Sequence, residues 1–341
     1  MKTICFGEIM LRMNPPAYDR FVQTQTFVAH PGGGEANVAV SLANYGLDAA
    51  FVSKLPSHDI GQICVNALRS YGVDTSMIVR GGERVGLYYL EKGASMRPSK
   101  VIYDRKYSSI AMADASDFDW NAIFADANWF HFTGITPALG ANVAAITLEA
   151  CKAAKAHNLT VSCDLNYRKN LWTTEEAGKV MGEIMKYVDV CIANEEDAEK
   201  VFGIKAENTD VDKGVVNHDA YKSVAKQLSD RFGCQKVAIT LRESISANDN
   251  NWAAMLYNRD NESYSFSRKY PIHIVDRVGG GDSFGGGLIY SIQSGYSDQD
   301  TIEFAVAASA LKHTIEGDFN LVTKAEVDSL LKNGGSGRVQ R

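Results

Sequence analysis

Short apolar runs alternate with amphipathic stretches of helical period along most of the chain, and no other feature limits the possible folds as strongly. Strand candidates are Thr3–Phe6, Ala50–Val52, Trp129–Phe132, Thr160–Leu165, Val188–Ala193 and Lys236–Leu241. Between them the period changes to that of a helix over Asn37–Tyr45, Ile60–Tyr71, Asn142–Ala156, Glu175–Lys186 and Ala220–Phe232. Strands that each return through a helix cannot pair as hairpins. They build βαβ units, and hence a mostly parallel central sheet covered by helices on both faces, a three-layer α/β/α architecture. A chain of 341 residues in one such domain buries roughly three-quarters of its unfolded surface, so a single domain over residues 1–332 needs no disulfide or metal staple.

Two stretches break this rhythm, at about residues 14–30 and 84–110. The second contains VGLYYLEKG and SKVIYDRKYSS. Apolar or aromatic residues alternate there with polar ones at period two, as in antiparallel strands exposed on one face. They predict a small β-lid beside the main sheet, able to cover a cleft or to bury apolar residues such as Leu87 and Ile102 in a homodimer. Residues 333–341 read as a flexible tail.

Thirty-five basic against 41 acidic side chains give a net charge of −6. With no run of five or more basic residues, a nucleic-acid partner is disfavoured. No stretch of 18 apolar residues occurs, so no membrane span is expected, and Glu8 and Arg12 interrupt the N-terminal run before it could serve as a secretory signal. That run, MKTICFGEIMLRM, reads as a first strand. Cys5, Cys64, Cys151, Cys163, Cys191 and Cys234 lie scattered, mostly in apolar runs, without metal-ligand spacing. They read as buried thiols of a cytoplasmic protein.

The chemistry concentrates in Tyr270–Tyr290, YPIHIVDRVGGGDSFGGGLIY. A strand at His273–Val275 runs into Asp276-Arg277-Val278, then three glycines, then Asp282 at the start of a helix. Glycines let a ligand approach the main chain, and free amides at a helix start form an anion site. A carboxylate at its mouth would repel phosphate unless it takes a proton from an attacking hydroxyl, so Asp282 reads as a general base. The plainer reading, a helix cap after a tight turn, stands beside it. There is no Walker A motif and no GxGxxG after the first strand.

DRVGGGDSFGGG resembles the DTxGAGDxFxxG signature of the PfkB, or ribokinase-like, carbohydrate kinases. HPGGGEANVAVSLANYG, near the other end of the chain, resembles that family's GGxxxNxAxxLaxLG motif. The resemblance runs from MKTICFGEIM to KHTIEGDFN and implies a ribokinase-like fold and phosphoryl transfer from ATP. It implies that Asp282 is the base and that the amides of Gly279, Gly280, Gly281 and Asp282 form the anion hole. Gly33, Gly34 and Asn37 would contact the sugar. Asn194-Glu195-Glu196-Asp197 falls where the family has NxxE, which organises Mg2+ and its waters. The last position is a shorter acid here, so Asp197, with Glu196 or Glu195, would act on the metal through water.

GLYY, VIYDRK and DLNYRKNLW further resemble the 2-keto-3-deoxygluconate kinases of the family. That match implies that Tyr88, Tyr103, Arg105 and Arg168 face the substrate, with Asp318 near the sugar's other end. Arginine suits a sugar acid because it grips a carboxylate bidentately. Asn166, Asn194, Thr240 and Arg242 are the nucleotide candidates, in a region where TLRESISANDNNWAAM replaces the family's glycine-bearing turn. The expected reaction is ATP-dependent phosphorylation of the 6-hydroxyl, with a monovalent cation as an optional activator. A kinase for a neutral sugar such as fructose or ribose, a non-catalytic sugar-binding relative and a nicotinamide oxidoreductase are the rivals.

Overall fold

In β1 (Lys2–Phe6) Ile4 and Phe6 join one hydrophobic cluster and Cys5 the other, all three fully buried. A strand whose two sides both enter a core must lie inside a sheet covered on both faces. The computed structural model describes residues 2–194, 196–205 and 218–335. After β1 come β2 (Met10–Asn14), β3 (Val28–Gly32), β4 (Asp48–Leu55), β5 (Ile78–Arg80), β6 (Gly86–Glu91), β7 (Lys100–Asp104) and β8 (Ala127–Thr133). The later strands are β9 (Thr160–Asp164), β10 (Val190–Asn194), β11 (Lys236–Ser244), β12 (Asp249–Asn258), β13 (Ser263–Phe266) and β14 (Tyr270–His273). The helices are α1 (Gly34–Asn44), α2 (Asp59–Ser70), α3 (Trp120–Phe124), α4 (Ala141–Ala156), α5 (Thr174–Ile184), α6 (Asp197–Phe202), α7 (His218–Phe232), α8 (Gly280–Gln293), α9 (Asp298–Lys312) and α10 (Lys324–Asn333).

The main sheet runs β13-β12-β11-β10-β9-β8-β1-β4-β5, with β14 also paired to β12. It is parallel from β5 to β11. It turns antiparallel only at β12 to β14. One core, with Phe130, Phe132, Ile146 and Leu228, lies on one face. The other, with Leu42, Phe51, Phe284 and Phe304, lies on the opposite face. All six cysteines are free and buried, and among the described residues no helix is long and apolar enough to cross a membrane.

A second sheet, ordered β3-β2-β6-β7, stands apart from the first. It differs from the expected lid in four ways. Its central pair, β2 with β6, is parallel, while β3 and β7 flank it antiparallel. The N-terminal run is two strands rather than one: the chain breaks at Gly7–Ile9 and hands β2 to the small sheet. Gly7 leaves room there for the Glu35 carboxylate, which would lie 2.2 Å from a Cβ. Residues 15–27 are connection, since Pro15 and Pro16 cannot continue a ladder. Leu87 packs against the main core instead of facing solvent, whereas Ile102 is 55% exposed. At the C-terminus α10 extends through Asn333. Residues 336–341 of the expected tail lie outside the described residues.

Helix α8 sits between α1 and α9, and its run Gly285–Gly287 makes the fit possible. A Cβ on Gly286 would meet the Ser41 Cβ of α1 at 2.6 Å, and one on Gly287 would meet the Ala305 Cα of α9 at 3.0 Å. The close approach of α1 and α8 brings their N-termini to one place. Gly286→Ala should therefore lower the chain's stability by about 1–3 kcal/mol, the cost of overpacking. A thermal midpoint unchanged from the parent would show that the helices can part without strain.

Candidate active site

A cavity of ≈ 510 Å³ opens at the carboxyl ends of β9, β10 and β11, where open parallel sheets bind their ligands, and the small sheet roofs it. Its floor is the start of α8. Gly279, the N-cap residue, has φ 81°, a left-handed conformation that favours glycine, and a Cβ there would stand 2.0 Å from the Asp318 carbonyl. The turn aims the helix N-terminus at the cavity, with Gly281 and Asp282 as its second and third residues. Gly280 does not join them. Its amide donates to the Arg277 carbonyl (3.4 Å), its carbonyl accepts from Ser309, and the His313 ring fills the space beside its Cα. Of the four residues expected to offer amides to an anion, Gly279, Gly281 and Asp282 line the cavity and Gly280 does not.

Asp282 Oδ2 accepts a 2.6 Å hydrogen bond from Asn37 Nδ2, and Asn37 Oδ1 accepts from the Gly33 amide at 3.2 Å. Gly34 lies alongside: a Cβ there would be 3.5 Å from Asp282 Oδ1. Burial raises the Asp282 pKa above the ordinary carboxylate value. The Asn37 hydrogen bond and the charges of Arg168 and Lys312 hold it down. Asp282 is the third residue of α8 and not its N-cap, and its carboxylate accepts from the Asn37 side chain.

Tyr88, Tyr103, Arg105, Arg168 and Asp318 all line the cavity, but three are already engaged. The Arg105 Nε lies 2.8 Å from Glu8 Oε2 and its Nη2 binds the same oxygen, while Ser108 also donates to Glu8. Arg105 thus enters the cavity as half of a buried ion pair, which uses two of the five guanidinium donors. Tyr88 donates its hydroxyl to Asp318, so these two stand together and not at opposite ends of a substrate. Burial pushes Asp318 up to about 6, against the pull of Arg12 and of that hydrogen bond. Tyr103 lies under the Arg105 guanidinium, 5.6 Å from it. Arg168 follows β9 and donates to the neighbouring Tyr167 carbonyl (3.2 Å).

Asn166, Asn194, Thr240, Arg242, Glu196 and Asp197 line the side formed by β9, β10 and β11. Asn166 holds φ 40°, a left-handed conformation asparagine tolerates. Asp197 accepts the amides of Tyr167 (3.0 Å) and Asn194 (3.2 Å), while Glu196 is exposed at the rim. Glu195 lies outside the described residues. Arg242 and Glu243 belong to the β11–β12 hairpin, where Lys269 and Asn251 hold Glu243. No cluster of three or more metal-ligating side chains occurs among the described residues. The carboxylates there fit Mg2+ held through water and phosphate oxygens, its usual mode, rather than a protein cage.

Sequence reasoning missed four cavity-lining residues or neighbours. Glu8 pairs with Arg105. Asp164 is raised by burial and by the charges of Asp197 and Asp282. Arg277 reaches the cavity beside Arg242. Glu35 accepts from the Thr133 amide and hydroxyl (2.8 Å each) and from Thr136 (2.6 Å), and burial raises it to about 7. Glu8 and Arg12 offered a signal, since charges inside an apolar run are often buried as pairs.

A parallel sheet between helix layers, with its cleft at the strand ends under a small separate sheet, is the ribokinase-like architecture. The model of the family described as pfkB family carbohydrate kinase matches residues 2–324. A crystal structure of 2-dehydro-3-deoxygluconokinase from Thermotoga maritima superposes with a TM-score of 0.94 at 52% identity, over 98% of this chain and 100% of that one. The 2-dehydro-3-deoxygalactonokinase of Haloferax volcanii is 30% identical over 334 residues, 98% of each chain. The 2-dehydro-3-deoxygluconokinase of Bacillus subtilis is 26% identical over 337 residues, 97% of this chain and 95% of its own. The chain belongs to the pfkB family and is a carbohydrate kinase.

The Asn37 contact predicts a pH effect. It favours the ionised form of Asp282, so Asn37→Ala should raise that pKa and move the acid limb of kcat/KM to higher pH. An acid limb that stays in place, measured over the same range, would separate Asn37 from the titration of the site.

Proposed function

We propose that the chain transfers the γ-phosphoryl group of ATP to the 6-hydroxyl of 2-keto-3-deoxygluconate, also called 2-dehydro-3-deoxygluconate, with Asp282 as the general base. The observation that carries this reading is the Asp282 carboxylate at the N-terminus of α8, hydrogen-bonded to Asn37 and open to a cavity that also receives Arg168. The sugar lies between Gly33, Gly34, Asn37 and the small sheet. Its carboxylate meets Arg168 and the remaining donors of Arg105, with Tyr88 and Tyr103 flanking it. Asp318 acts on the sugar only through Tyr88.

Asp282 takes the proton as the 6-oxygen attacks in line, and the amides of Gly279, Gly281 and Asp282 stabilise the charge on the transferred group. ATP occupies the side of Asn166, Asn194 and Thr240. Arg242 and Arg277, two cations that crowd each other at the cavity, are matched to its phosphates. Mg2+ held through water by Glu196 and Asp197 supplies further charge neutralisation there. Roofing by the small sheet excludes water that would hydrolyse ATP. The exposed edge strand β7, with Val101, Ile102 and Tyr103, is where a second copy would pair.

The names of the Thermotoga and Bacillus relatives support the substrate. The Haloferax relative keeps the C4 epimer in the test. Rates across 2-keto-3-deoxygluconate, its galactonate epimer, fructose and ribose should favour the acids, and a preference for a neutral sugar would refute the assignment. Arg168→Met should cost the acid substrate at least about tenfold in kcat/KM, the size of one charged hydrogen bond, and fructose far less. An equal loss on both would remove Arg168 from the carboxylate.

A further inference from the structure

Lys312 is fully buried at the end of α9. An ammonium has three protons and no accepting atom, and unpaired burial is costly. Here each proton has a main-chain carbonyl: Gly317 at 2.7 Å, Ile315 at 3.3 Å and Asp276 at 3.4 Å. These belong to the two loops that meet behind the glycine turn. Asp276 begins the segment leading to Gly279, and a Cβ on Gly279 would touch both the Asp318 carbonyl (2.0 Å) and the Lys312 Cε (3.2 Å). The Asp276 carboxylate accepts Arg12 Nη1 (3.2 Å) and Nη2 (2.7 Å) and the Val278 and Gly317 amides (3.1 Å each). Arg12 Nε also lies 3.1 Å from Asp318. Two cations and two carboxylates, all four buried, balance one another there.

We propose that Lys312 is a positioning residue for phosphoryl transfer: its carbonyl-bound ammonium fixes the glycine turn and supplies, from within the chain, the charge that a monovalent cation of similar size could provide. The inference rests on the kinase reading above. Without Lys312 the network carries one excess negative charge directly behind the amides that receive the phosphoryl group. Both consequences, a loosened turn and an opposing field, act on the transition state more than on sugar binding. A small cation that can accept three carbonyl oxygens relieves both, whereas a bulky one cannot enter.

The test is steady-state phosphorylation by the full chain with K+, NH4+, methylammonium or tetramethylammonium as the supporting monovalent ion. The parent should turn over equally in all four, and a parent severalfold faster in K+ than in tetramethylammonium overturns the proposal. Lys312→Ala should lower kcat about 10- to 100-fold, as removal of supporting contacts does, with the sugar KM within about threefold of the parent. K+, NH4+ or methylammonium should restore much of the loss, and tetramethylammonium none. A variant as active as the parent, or a loss that no small cation repairs, overturns the proposal. Lys312→Met, which keeps the buried stem, replaces the alanine variant if circular dichroism shows the latter unfolded. If neither folds, the parent's response to cations decides. A parent inactive on every sugar and sugar acid overturns the functional reading and this one with it, whereas an active parent with an unrescued variant overturns this one alone.

Discussion

Asn37 and Asp282 are 245 residues apart in the chain and joined by a 2.6 Å hydrogen bond. Each lies among the first four residues of its helix, and the site exists only if α1 and α8 approach closely enough for those ends to touch. The glycines of α8 permit that approach, while β3 of the small sheet leads into α1 and β14, antiparallel to β12, leads into α8. The bond also sets the chemistry. A carboxylate withdrawn from water has a raised pKa and is a stronger base, but it must remain ionised near neutral pH to accept a proton. Asn37, Arg168 and Lys312 oppose the effect of burial on Asp282.

The second constraint is the buried charge network behind the turn. Arg12 from β2 binds Asp276, just before the glycines, and lies against Asp318, which in turn receives Tyr88 from β6. The small sheet is therefore anchored to the segment that leads into the glycine turn by ionic contacts as well as by apolar packing. Such pairs contribute little net stability once desolvation is counted, but removing one partner leaves a stranded charge. Geometry, more than stability, is what the network secures. The Arg105–Glu8 pair is a further charged contact at the cavity wall.

The parallel sheet was legible because alternating period is a local property of the chain, and the glycine motifs were legible because close backbone approach demands that residue type. Pairing between distant segments was not. Nothing in MKTICFGEIMLRM says that β2 leaves the main sheet to lie parallel to β6, since that depends on a partner more than 70 residues away. For the same reason Arg105 looked like a free clamp: its counter-ion Glu8 sits in a different apolar run. Gly280 was grouped with its neighbours because three consecutive glycines look alike in sequence. Its bonds to Arg277 and Ser309 and the His313 ring beside it separate it from the others. Lys312 gave no signal, for a lysine ending a helix is ordinarily a solvated one.

The central claim is that Asp282 acts as a base next to main-chain donors that hold the phosphoryl group. Asp282→Asn keeps the shape and can still accept the Asn37 hydrogen bond, so it removes the proton acceptor and little else. Turnover with the sugar acid and ATP, measured beside calorimetric ATP binding in the same variant, tests this most directly. The account predicts a kcat lower by about 10²- to 10⁴-fold, the range for a general base, with ATP affinity near that of the parent. A variant that keeps most of its turnover would contradict it.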